Sequence, residues 1–270
     1  MIRKRLVWLG LITFGLLIGI GAGGMLLDAE AWGIRLESRH LPPSLNHPFG
    51  TDWLGRDLLA RTLMGLSLSI GVGFVAAAAS SVIALLLGLA AGLKGGRLDR
   101  LITWVIDVFL SVPHLVTLIL IAFVLGGGTR GVIIGIALTH WPGLTRVIRA
   151  EVLQLTAADY VQVSRHLGRS HWWIASRHML PHLLSQLTAG LLVTFPHAIL
   201  HESAITFLGL GLSAEQPAIG VMLAESMSFL SAGMWWLAVF PGLGLLVVVL
   251  CFDAMVRTLR HLIDPHRAHD

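Results

Sequence analysis

The sequence predicts an all-α polytopic membrane protein: six transmembrane helices, with one sizeable cytoplasmic loop between helices four and five. Three observations predict it. Hydrophobic residues make up 55% of the 270 and charged residues only 13%, about half the charged share of a soluble domain. Apolar runs near the roughly 17–25 residues that cross about 30 Å of hydrocarbon recur along the chain. Most basic residues fall between those runs, where interfacial placement explains them better than a nucleic-acid groove. Glycine, at 30 residues, suits helices that approach closely in lipid. The lone Cys251 has no partner for an internal disulfide.

The first span is read at 6–27. Its apolar run is longer than the roughly 7–15 residues of a signal-peptide core, which argues for a membrane helix. The second, at 68–93, carries Ala76-Ala77-Ala78-Ala79 and Leu85-Leu86-Leu87. The third is placed at 101–125 and the fourth at 131–148, ending near Pro142. Gly126-Gly127-Gly128 makes the turn between them. The fifth lies at 183–208 and the sixth at 235–256. The corresponding organisation is 1–67 for the first helix and an extracytoplasmic loop, 68–258 for a five-helix core, and 259–270 for a cytoplasmic tail.

Charge sets the orientation. With the N-terminus inside, the inner segments hold Arg3, Lys4, Arg5, Lys94, Arg97, Arg100, Arg146, Arg149, Arg165, Arg169, Arg177, Arg257, Arg260 and Arg267. The outer ones hold only Arg35, Arg39, Arg56, Arg61 and Arg130. This is the positive-inside pattern, and it puts both termini and the 149–182 segment in the cytoplasm. Asp107 and Glu202 fall within spans, so each is expected to face protein or a water-filled route. In the outer loop, Asp52 and Asp57 are read as caps of turns or helix starts.

Residues 146–182 form a polar island with five arginines, two acids and four histidines. Val152, Leu155, Tyr160, Val163 and Leu167 mark a broken apolar stripe of helical spacing. Thr156 is read as an N-cap for the helix that opens at Ala157-Ala158-Asp159. Gly168 ends that helix. A second short element begins at Arg169-Ser170-His171, and Pro181 limits it. The pair forms a compact unit that a soluble partner can grip.

Ordered motifs now carry a resemblance. They are His47-Pro48-Phe49-Gly50-Thr51-Asp52-Trp53-Leu54-Gly55-Arg56-Asp57, then Gly95-Gly96-Arg97-Leu98-Asp99, Trp141-Pro142-Gly143, and Ser203-Ala204-Ile205-Thr206-Phe207-Leu208-Gly209-Leu210-Gly211. Phe240-Pro241-Gly242-Leu243 and Leu259-Arg260-His261-Leu262-Ile263-Asp264-Pro265 complete them. Over nearly the whole chain this resembles the permease subunit of the bacterial peptide and nickel ATP-binding-cassette importers. The family's coupling motif, E-A-A, three residues, glycine, and later H-x-L-P, corresponds to Gln162-Val163-Ser164, Gly168 and His178-Met179-Leu180-Pro181. The triplet departs from the family, and Gln162 removes its negative charge.

The resemblance implies a pore-forming subunit in the cytoplasmic (inner) membrane. It implies a second homologous permease subunit, two ATPase subunits that use ATP and Mg²⁺, and an extracytoplasmic solute-binding protein. Asp159, Tyr160, Gln162, Val163, Ser164 and Gly168 then form the ATPase-coupling segment. No G-x-x-x-x-G-K-[ST] phosphate loop is present, so the chain itself is expected to be non-catalytic, to bind no cofactor stably and to bind no nucleic acid. For cargo, His197 and His201 lie one helical turn apart, and imidazole suits Ni²⁺. These two are the candidate metal ligands and, with Glu202, the candidate translocation path. His140, His166, His171 and His182 suggest a lesser cytoplasmic metal exit. Nickel or a nickel chelate is the expected cargo. Import of dipeptides or oligopeptides is the alternative, and a non-transporting membrane adaptor is a third reading. A metallohydrolase is excluded because His197-x-x-x-His201-Glu202 lacks the H-E-x-x-H order.

Overall fold

The computed structural model describes residues 2–27 and 33–263. In chain order the helices are α1 (Ile2–Leu26), α2 (Leu58–Lys94), α3 (Gly96–Ser111), α4 (His114–Val124), α5 (Gly128–Ala157), α6 (Asp159–His166) and α7 (His171–Ile174). A π-helical turn (Ala175–Met179) leads into α8 (Leu180–Phe207), followed by α9 (Ile219–Leu230) and α10 (Trp236–Ile263). Tail residues 264–270, with His266 and His269, lie outside the described residues.

Four stretches are long and apolar enough to cross a membrane: Leu58–Lys94, Gly128–Ala157, the continuous rod His171–Phe207, and Trp236–Thr258. The α3–α4 pair makes a fifth when taken as one span, and α1 supplies a shorter apolar stretch, Gly10–Leu26. The chain is therefore a multi-span α-helical membrane protein. Large side chains such as Phe14, Phe74, Leu86, Phe123, Leu246 and Leu250 are exposed, the outward apolar surface expected where lipid or another membrane subunit is the surroundings.

Several predicted boundaries shift, each for a local reason. The second span starts earlier, at Leu58, because Asp57 caps α2 by accepting a hydrogen bond from the Ala60 amide at 2.9 Å. The third span is not continuous: α3 and α4 meet at 98°. Pro113 has no amide hydrogen and drives Val112 to an extended conformation, ψ 139°. The fourth span does not end near Pro142; α5 passes through it. Pro142 leaves the Leu138 carbonyl without its usual donor, and the Trp141 indole N–H donates to that carbonyl at 2.9 Å. Pro181 does not stop the second short element either. It lies in the first turn of α8, directly after the π-helical turn.

α2 is the central helix, packed against α1, α5 and α8. Ala76, Ala77, Ala84 and Ala91 are fully buried along it. A Cβ at Gly88 would lie 2.7 Å from Ile148 Cγ2, and one at Gly92 would lie 2.5 Å from Val152 Cγ1. Only glycine admits the α5 side chains at these two places. Near the α6 end of α5, Arg149 grips Asp99 through both nitrogens of its fork, with Nη2 at 2.7 Å. Asp107 pairs with Arg146 at 2.5 Å. Both pairs tie α3 to α5. Glu202 is wholly buried and faces protein, accepting from Ser69 at 2.6 Å, Thr206 at 3.0 Å and Ser203 at 3.2 Å.

The loop before α2 folds back onto the bundle. Phe49 stacks on Phe240 at 4.4 Å, and the Trp236 indole reaches the Thr51 carbonyl. Asp52 accepts from the Leu54 and Arg56 amides, from Arg56 Nε at 2.6 Å and from Arg61 Nη1 at 2.6 Å. Arg61 is 1% exposed and also donates to Glu225 of α9 at 2.9 Å. Two cations and two anions thus close a nearly dry cluster that clamps the loop, α2 and α9 together. Asp52→Ala strands buried Arg61 with one partner, which costs about 3–5 kcal/mol. Denaturant titration of the purified complex in detergent should show that loss, and Glu215→Ala, on the exposed 213–215 segment, should show almost none.

Candidate functional site

Two constellations stand out. The first is the polar island. α5 ends at Ala157, and Ala158, at ψ 141°, turns the chain into α6. Ala158 occupies the N-cap position, and no side chain caps it. Thr156 instead belongs to α5, donating to the Leu153 carbonyl at 2.7 Å. Its own carbonyl accepts from Gln162 Nε2 at 2.7 Å. Asp159 opens α6, where an acid complements the helix dipole.

α6 ends in a Schellman closure: the Gly168 amide donates to Arg165 O at 2.9 Å, and the Arg169 amide to Ser164 O at 3.1 Å. Gly168 sits at φ +75°, the left-handed region that residues with a Cβ avoid. Ser170 then caps α7 by accepting from the Trp173 amide.

The inner face of α6 is held by Val161, which is fully buried, and by Ser164, which meets His178 Nε2 at 2.9 Å. The His178 ring also lies against Tyr160 at 5.2 Å and Trp173 at 5.1 Å. Arg169 covers the Trp173 ring at 4.8 Å. The outer face leaves Tyr160, Val163, Leu167 and Trp172 exposed. Of the segment named from sequence, Val163 and Tyr160 therefore point outward, Gln162 and Ser164 serve internal bonds, and Gly168 makes the turn.

The second constellation is a histidine cluster. His140 (α5) and His201 (α8) meet at 3.2 Å, Nε2 to Nδ1. His140 Nδ1 lies 3.0 Å from the Ile136 carbonyl, to which it donates. His114, the first residue of α4, packs edge-on to His140 with ring centroids 4.4 Å apart and sits 4.8 Å from His201. One nitrogen from each of the three lies within 4.8 Å of the others. His197 is not in this group. It is exposed beside an α8–α10 groove of about 310 Å³ shared with Asp253 and Arg257. Glu202 turns to its three hydroxyls, away from His201's partners. His114 was not singled out from sequence, and His140 was assigned to a cytoplasmic exit. The usable signal was an imidazole inside an apolar run, a placement that membranes tolerate only with a partner.

Residues 84–264 match the family described as binding-protein-dependent transport system inner membrane component. The chain belongs to this family. It is thus a non-catalytic ABC-transporter permease subunit. The permease is 33% identical over 264 residues to the dipeptide transport system permease protein DppC of Alkalihalophilus pseudofirmus, covering 97% of this chain and 86% of that one. It is 34% identical over 224 residues to the oligopeptide transport system permease protein OppC of Bacillus subtilis, covering 83% and 73%. Its fold is similar to a solved chain of the MetNI methionine ABC transporter in an inward-facing conformation. That match has a TM-score of 0.55, 18% identity, and covers 74% of this permease and 96% of that chain. Family membership implies ATPase, solute-binding and second permease partners.

Gly168 gives a direct test of the island. Open space surrounds its would-be Cβ, so a substitution acts through the backbone alone. Gly168→Val should cost about 1–3 kcal/mol of local order and speed tryptic cleavage at Arg165 and Arg169 about tenfold or more, since cleavage follows local opening. Gly168→Asn, which tolerates the left-handed region, should change the cleavage rate little.

Proposed function

We propose that this permease carries dipeptides or short oligopeptides into the bacterial cell, driven by ATPases that dock on α6. The observation carrying the cargo reading is the similarity to dipeptide and oligopeptide permeases over more than four fifths of the chain. It replaces nickel, expected from His197 and His201, as the preferred cargo. The full reading has six spans, both termini in the cytoplasm, and a paired permease completing the pore.

The geometry supports a lever. A partner cleft that takes Tyr160, Val163 and Leu167 buries apolar surface at about 25 cal/mol per Å². His178 and Val161 hold α6 against the bundle, so a pull on α6 is not absorbed by a loose loop. From His171 the chain continues to Phe207 as one rod, and on the other side α5 ends one residue before α6. Closure of two ATPases therefore moves the ends of α5 and α8 together. Alternation of the pore needs two bundle states whose balance the ATPase shifts, with no chemistry in this chain.

The test is ATP-dependent uptake by the complete transporter in proteoliposomes, with labelled dipeptide, tripeptide and ⁶³Ni²⁺ compared side by side. Peptide accumulation that unlabelled peptide competes away is expected; uptake of nickel alone would refute the cargo. Val163→Asp combined with Leu167→Asp, which puts two desolvated carboxylates at the docking face, should leave the permease folded but abolish uptake and peptide-stimulated ATP hydrolysis. Undiminished stimulation in that variant would refute docking through α6.

A further inference from the structure

We propose that His114, His140 and His201 form a binding site for a divalent transition-metal ion of the imidazole-preferring class, such as Zn²⁺ or Ni²⁺, and that an ion held there staples α4, α5 and α8 and arrests transport. The binding half stands on geometry alone; the arrest half rests on the transport reading above.

The three nitrogens converge from three helices that are distant in sequence. Tetrahedral ligands at about 2.1 Å from an ion stand about 3.4 Å apart. His140 and His201 already approach to 3.2 Å, and the widest spacing in the group, 4.8 Å at most, closes by side-chain rotation. The hydrogen bonding also prepares the ligands. By donating Nδ1–H to the Ile136 carbonyl, His140 leaves Nε2 as a bare lone pair aimed at His201. A backbone carbonyl on the far nitrogen is the usual outer support of a metal-bound imidazole.

An internal hydrogen-bond network does not account for the third histidine. His114 Nε2 is buried with no partner, and such an orphan costs about 1–3 kcal/mol. Coordination gives it a partner. Three neutral nitrogens without a carboxylate favour the softer borderline ions over Ca²⁺ or Mg²⁺. They also leave a fourth position open.

The consequence for movement follows from where the ligands sit. α5 and α8 flank the α6 unit, and α4 reaches the cluster only through the bend at Val112–Pro113. An ion joining all three removes their freedom to shift past one another, whichever bundle state it catches.

The experiment uses the complete transporter in nanodiscs, purified by a histidine-free tag. Zn²⁺ and Ni²⁺ titrations are read by calorimetry and by metal content after gel filtration. One ion per permease chain is expected. His140→Ala and His201→Ala should weaken it at least tenfold, and so should His114→Gln, which keeps a polar side chain of similar reach. His197→Ala should leave the affinity unchanged. Unaltered binding in His114→Gln and His201→Ala would overturn the site, as would loss of binding in His197→Ala alone. In proteoliposomes, metal at saturating concentration should stop peptide uptake by the parent transporter and spare His114→Gln. Metal binding without inhibition would overturn the staple and leave the site standing. ATP-driven ⁶³Ni²⁺ accumulation through the three histidines would replace arrest by transit. Should the peptide reading itself fail, the titration arm still decides the site.

Discussion

The architecture depends on how closely α2 and α5 approach. Helices in lipid gain nothing from hiding apolar surface, so contact must come from packing and from polar pairs. Gly88 and Gly92 supply the packing by letting Ile148 and Val152 reach the α2 backbone. Asp99 with Arg149 and Asp107 with Arg146 add polar pairs that tie α3, the helix directly after α2, to α5 near the same end. Because α5 is fixed so tightly to the central helix, it can position His140 at one level and present α6 at its end.

Ionisable groups divide by what surrounds them. Asp52, Arg56, Arg61 and Glu225 neutralise one another where water is nearly excluded, and that cluster holds the loop before α2 to α9. Glu202 is satisfied by hydroxyls alone. The histidines at 114, 140 and 201 differ from both sets: three imidazoles from three helices meet with no acid among them, and His114 Nε2 is buried without a partner.

Much of this was legible in the residues. Long apolar runs and the basic bias marked a membrane bundle, and the ordered motifs from His47 to Pro265 marked the family. Asp57 as a cap and Gly168 as a stop follow from local chemistry that needs no tertiary context. What was not legible depended on contacts distant in sequence. The passage of α5 through Pro142 required the Trp141 indole to take a freed carbonyl, and the continuity past Pro181 required a π-helical turn. His114 meets His140 and His201 only because α4 is bent back toward α5 and α8. Helical spacing paired His197 with His201 correctly along one turn, yet it had no means of showing that the neighbours of His201 come from other helices.

The right-angle elbow between α3 and α4 has a cost that the isolated chain does not meet. At Ser111, Val112 and Pro113 the helical ladder is interrupted, and all three residues are exposed. Open backbone at hydrocarbon depth is tolerated only against protein or a wet cavity. If α3 and α4 together make one crossing, this corner cannot face lipid tails. In that case it lies against protein or a wet cavity, a demand that the corner places on whatever packs beside it.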